Sequence, residues 1–155
     1  MLSENKTITI LSVLAAILFV FAFFMVIFYA PIEVNMGLVQ KVFYFHMSAA
    51  WVGMLAFLMA AVFGILYLVH KDLKWDRLIA SSVEIGLLFT VICILSGMIW
   101  ARPIWNTWWT WDPRLTTVTI MAFTYIAFML LRRSMDEPSK RAQFSAIYAI
   151  IGFVT

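Results

Sequence analysis

Apolar residues dominate four long stretches of the chain, about residues 8–30, 43–69, 79–100 and 113–131, and a fifth stretch opens near residue 143. Short polar segments separate them: PIEVNMGLVQKV, HKDLKWDR, a tryptophan-rich stretch and RRSMDEPSKRAQ. Each long run approaches or exceeds the roughly 20 residues a helix needs to cross a bilayer. In lipid the backbone must satisfy its own hydrogen bonds, so each run predicts a helix. The expected fold class is an all-α polytopic membrane protein with at least four transmembrane helices and the start of a fifth. Residues 1–155 form a single membrane domain on this reading. The first run, about 23 residues, is too long for the apolar part of a cleaved signal peptide and lacks a small-x-small site after it. It predicts a retained helix. Only about a dozen apolar residues separate residue 143 from Thr155, too few to span, so the chain is expected to continue beyond Thr155.

Composition agrees with that picture. Of the 155 residues 65% are hydrophobic and 12% charged, against about half and about a quarter in soluble domains. That leaves no room for a separate soluble domain, and membrane lipid rather than nucleic acid is the expected surrounding. The single cysteine, Cys93, excludes an internal disulfide, and no CxxCH occurs to attach a c-type haem covalently. The net charge of +3 matters less than its distribution. Lys6, Lys71, Lys74, Arg77, Arg132, Arg133, Lys140 and Arg141 share one side, while Lys41, Arg102 and Arg114 share the other. Eight against three predicts a cytoplasmic amino terminus. The tryptophan loop, residues 101–115, then faces the periplasm or its equivalent.

Within that loop, residues 105–114 read WNTWWTWDPR. An aromatic belt at headgroup level accounts for Trp75, Trp100 and Trp51. It does not account for Trp105, Trp108, Trp109 and Trp111 crowded into one turn, which make a platform suited to a large flat apolar ligand. Asp112 followed by Pro113 predicts the N-cap and first residue of the fourth helix. Arg114 then falls in the first turn, where the helix dipole disfavours a cation. It either snorkels at the interface or joins Arg102 and the free N–H groups of the helix start in holding an anion.

Two histidines differ in setting. His70 sits at the cytoplasmic end of its helix beside Lys71 and Asp72 and reads as a solvated interfacial residue. His46 lies near the outward end of the second helix, level with the tryptophan loop. Ala49, Ala50, Gly53, Ala56, Ala60 and Gly64 lie within about 80° of its direction at 100° per residue. Small residues on one stripe mark a packing face in lipid, so His46 points into the bundle. It either hydrogen-bonds a backbone carbonyl there or ligates a metal or haem through neutral imidazole. A flat apolar ring, anionic edge groups and a nearby imidazole are the requirements of haem. A rival reading, a polytopic transporter with His46 and Glu84 on a polar path, predicts ionisable residues at mid-membrane depth on several helices, and only Glu84 fits.

WNTWWTWDPRLTT resembles the WWD motif of the haem-handling proteins of cytochrome c maturation. With its RLT ending, and FYFHMSAAW around His46, the chain is most similar to the CcmC, or haem exporter protein C, family. The CcsA/ResC and CcmF types are the nearer alternatives. The resemblance implies a six-helix protein of the bacterial inner membrane, or its mitochondrial counterpart, that is a carrier and not an enzyme. It implies haem b as transient cargo, held between Trp105, Trp108, Trp109, Trp111, Asp112, Arg102 and Arg114, with His46 as an axial ligand. The second histidine of the family pattern would lie beyond Thr155. The partners implied are the haem chaperone CcmE, the small protein CcmD and the ATP-binding-cassette pair CcmA and CcmB.

Overall fold

The computed structural model describes residues 2–154, with side chains from Asn5 onward. Helix α1 (Leu2–Phe24) continues into a π-helical turn (Met25–Tyr29), and α2 (Gln40–His70), α3 (Leu73–Trp105), α4 (Pro113–Arg133) and α5 (Pro138–Val154) follow. The first four are long and apolar enough to cross a membrane. The all-α polytopic architecture is therefore the one that the apolar runs predict.

The helices overrun the apolar stretches at their ends. Hydropathy reports depth in the membrane, whereas helix ends are set by caps. Lys71 closes α2 in the left-handed region (φ 56°), its N–H bonding the Tyr67 carbonyl at 2.8 Å. Asp72 then caps α3 by accepting the Lys74 N–H at 2.8 Å. The polar segment HKDLKWDR thus contributes two residues of turn and a first turn of helix. At the other end α3 runs on through Arg102 and Pro103 to Trp105. The loop expected over residues 101–115 is correspondingly shorter, 106–112.

With so short a turn, α2 and α3 form an antiparallel hairpin, and small residues let it close. Of the predicted stripe on α2, Ala49, Gly53, Ala60 and Gly64 are buried, while Ala50 and Ala56 are partly so. The Phe57 ring occupies the space that a Cβ on Gly86 of α3 would take. Helix α5 lies against both through Ala142, Ser145, Ala146, Ala149 and Gly152, all buried. Its Ala146 carbonyl comes so near α2 that a Cβ on Gly64 would sit 2.8 Å from it. In the middle of the bundle Phe57 stacks on Tyr125 of α4, with ring centres 4.0 Å apart and planes nearly parallel. Offset aromatic pairs of this kind add to the gain from close packing in lipid.

At the basic end of the bundle Asp76, buried in α3, pairs with Arg132 of α4, and Nη2–Oδ2 is 2.8 Å. Arg132 also bonds the Ser145 hydroxyl of α5, and Arg141 approaches Asp76 at 3.8 Å. One carboxylate therefore ties three helices. Trp75, expected in the lipid belt, is half-buried and stacks on Phe63 at 5.8 Å against the core. Side chains Asn5–Phe24 of α1 are all exposed, and among the described residues α1 meets α2 near its end, Phe23 against Phe45 at 5.9 Å.

Candidate functional site

The site forms at the opposite end, where α2 begins and α3 finishes. Because α2 starts at Gln40, His46 lies roughly two turns inside it at 3.6 residues per turn. Its Nδ1 is 2.9 Å from the Cys93 carbonyl of α3. A carbonyl only accepts, so Nδ1 is the donor, and in the neutral ring Nε2 carries the lone pair. The Ser96 hydroxyl stands 3.4 Å from the same nitrogen and the Cys93 thiol 3.7 Å. The two alternatives left by the sequence are thus compatible: one nitrogen binds a carbonyl and the other is available.

His46 lines a cavity of about 470 Å³ with Phe43, Trp100, Trp105, Trp108, Trp109, Asp112 and Arg114. That volume falls in the usual range of small-molecule sites, roughly 300–1,000 Å³. The wall is largely apolar, and five of its residues are Phe or Trp. Phe43 and Trp100 have ring centres 5.9 Å apart, and Trp100 meets Trp105 edge to face at 5.3 Å. Among the described residues no group of three or more His, Cys, Asp or Glu could hold a bare metal ion. His46 comes instead with flat apolar walls.

Residues 106–112 are shaped by side chains bonding the backbone. Asn106 turns the chain out of α3 in the left-handed region (φ 55°), which asparagine tolerates better than most residues. The Thr107 hydroxyl donates to the Trp109 carbonyl at 3.0 Å. Asp112 accepts the N–H groups of Arg114 at 2.9 Å and Leu115 at 3.1 Å, with Pro113 opening α4, so the predicted cap is present. The Thr110 hydroxyl donates to its other oxygen at 2.9 Å. The Leu115 N–H, foremost, and the Thr110 hydroxyl hold the carboxyl below its usual range, so Asp112 is ionised at neutral pH. Arg114 lies 3.8 Å from it with a side chain 81% exposed, a largely solvated cation at the cavity.

Of the residues expected at the site, His46, Trp105, Trp108, Trp109, Asp112 and Arg114 line this one cavity, and Trp111 and Arg102 do not. Trp111 is 75% exposed and stands edge to face against Trp109 at 5.7 Å. Arg102 turns along the exposed side of α3 and bonds the Asn106 carboxamide oxygen. Of the two arginines that one of the sequence readings joined on an anion, Arg114 lines the cavity and Arg102 does not. Trp105 belongs to α3 and not to the loop. Trp100, expected in the belt, is part of the wall. The signal for it was present: Cys93, Gly97 and Trp100 follow an i, i+4, i+7 spacing and share a helix face. Glu84 is exposed on α3 and lines no part of the cavity, so it shares no polar path with His46. At the other end His70 bonds the Leu66 carbonyl through Nδ1 at 3.0 Å, exposed as expected.

The family model for CcmC, Heme exporter protein C, matches residues 1–155. The chain belongs to the Heme exporter protein C family. Over 125 residues it is 32% identical to Heme exporter protein C of Bradyrhizobium diazoefficiens, covering 81% of this chain and 48% of that protein. It is 30% identical over 126 residues to that of Escherichia coli K12, covering 81% and 51%. A ccmC-like mitochondrial protein of cytochrome c biosynthesis from Marchantia polymorpha is 29% identical over 133 residues, covering 86% and 56%. The chain thus spans about half the length of the curated relatives it matches. Heme exporter protein C membership and four membrane-length apolar helices make this a multi-pass inner-membrane protein.

Proposed function

We propose that the chain holds haem b as a transient cargo at the outward end of the bundle and delivers it to the chaperone CcmE for cytochrome c maturation. CcmD and the CcmA–CcmB pair are the further partners of this reading. The observation that carries it is the single cavity joining His46, with its Nε2 free, to Trp105, Trp108 and Trp109 and to Arg114. The donor set fits haem. Tryptophan faces suit the macrocycle, Arg114 suits a propionate, and a neutral imidazole with its other nitrogen on a carbonyl is the common state of a metal-ligating histidine. When bound, haem supplies an iron centre that takes the imidazole as a ligand. The role is that of a carrier, and no bond of the cargo is broken.

An absorption spectrum tests this. The protein purified in detergent is expected to show a haem Soret band, and His46→Ala to lose most of it while inserting and folding normally. A His46→Ala protein with unchanged Soret position and occupancy would leave His46 as a packing residue and overturn the proposal.

A further inference from the structure

The surroundings of His46 contain more than the ligand itself. Its imidazole lies against the backbone of α3 at Gly97, with the Phe43 ring tilted to it 6.2 Å away centre to centre. A Cβ on Gly97 would lie 3.0 Å from Cε1 of the imidazole and 3.2 Å from Nδ1, closer than side chains ordinarily approach. One turn earlier the Cys93 carbonyl accepts the Nδ1 proton at 2.9 Å. Ser96 braces that turn, its hydroxyl 2.6 Å from the Ile92 carbonyl and 3.1 Å from that of Cys93. The absent Cβ of Gly97 leaves the imidazole edge room to lie beside the carbonyl without displacement.

We infer that the Cys93–Gly97 turn of α3 is a positioning cradle, which fixes the tautomer and orientation of His46 for an iron-bearing ligand. The inference rests on the haem reading for its purpose, but its geometry is independent of it. Gly97 is a positioning residue acting through His46. A methyl group there crowds the imidazole by a few tenths of an ångström and weakens its bond to the Cys93 carbonyl, so the Nδ1 proton is held less firmly. The proton is then free to move to Nε2, the nitrogen the metal needs. Where the imidazole still binds iron, it does so as a weaker base. Outer partners of this kind are worth about 10- to 100-fold in metal affinity.

The test compares wild type, Gly97→Ala and Gly53→Ala. Gly53 is a control on α2 in the same bundle, since a Cβ there meets nothing nearer than 3.6 Å. Nitrogen-15 NMR of the haem-free protein is expected to give the Nδ1-protonated tautomer of His46 in wild type and Gly53→Ala, and a mixed or Nε2-protonated form in Gly97→Ala. In the haem-loaded protein Gly97→Ala should weaken retention about 10- to 100-fold and raise the midpoint potential of what remains. Wild-type tautomer, affinity and potential in Gly97→Ala would overturn the cradle. If Gly97→Ala fails to fold, His46→Gly decides, with free imidazole added as replacement ligand. Imidazole should restore the Soret band at about tenfold lower concentration than 1-methylimidazole, which cannot present both a ligand nitrogen and an N–H; equal potency would overturn the inference. Wild type without any Soret band defeats the haem reading, and the NMR comparison then still decides the cradle.

Discussion

Trp109 and Trp111 stand two residues apart in a run of like residues, and at the scale of the single side chain the fold treats them differently. Trp109 lines the cavity, while Trp111 is 75% exposed behind it. Trp109→Ala removes contact area worth roughly 2 to 3 kcal/mol at about 25 cal/mol per Å². Since 1.4 kcal/mol is about tenfold, haem affinity should fall about 30- to 150-fold, and Trp111→Ala should cost far less. Titration of haem into the two variants decides it, and equal losses would mean that the turn acts as a surface anchor. Trp51, exposed to lipid, is the proper control. Trp75 is not, because its stack on Phe63 against the core means that Trp75→Ala also removes helix packing. The sequence shows that tryptophans crowd here and that a histidine lies at their depth. It does not show which rings face inward, because that follows from where α3 stops and how Thr107, Thr110 and Asp112 bend the turn.

At the scale of helices, what the sequence hides is pairing across distance. The basic residues near Arg132 read as a topological signal, and Asp76 as part of a polar turn. Packed together they form a buried ion pair, with side-chain exposures of 12% for Arg132 and 2% for Asp76. Fifty-six residues separate them, and neither carries a local sign of the other. Asp76→Ala should destabilise the bundle by about 3–5 kcal/mol, because it leaves a buried guanidinium uncompensated. Replacing both partners by apolar residues of similar volume should restore much of that loss. Thermal unfolding in detergent is the measurement, and an Asp76→Ala protein melting with wild type would reduce the pair to a surface contact. Helix existence, by contrast, was legible throughout, since twenty apolar residues in lipid have no other backbone solution. Helix ends were not, because Asp72 and Lys71 place one of them inside a polar segment.

At the scale of the whole molecule, the eight-to-three division of basic residues predicts which end faces the cytoplasm. Cysteine labelling in a Cys93→Ala background tests it. Val34, 96% exposed in the turn before α2, reports one side, and Ser139, exposed at the start of α5, reports the other. Val34→Cys should react with a membrane-impermeant thiol reagent in intact spheroplasts and Ser139→Cys only after lysis. The reverse pattern would move the cavity to the cytoplasmic face. The Asp76–Arg132–Ser145 tie also bears on how the chain is made. Synthesis delivers the amino-terminal helices first. The acid on α3 therefore enters the membrane before its arginine exists, and that arginine before its hydroxyl partner. Until α4 has emerged, the α2–α3 hairpin holds an unpaired carboxylate at the basic end of the bundle, where water can still reach it. Its position there, one turn from the start of α3 and not in mid-span, lets the growing chain wait for its partners without carrying a bare charge through lipid.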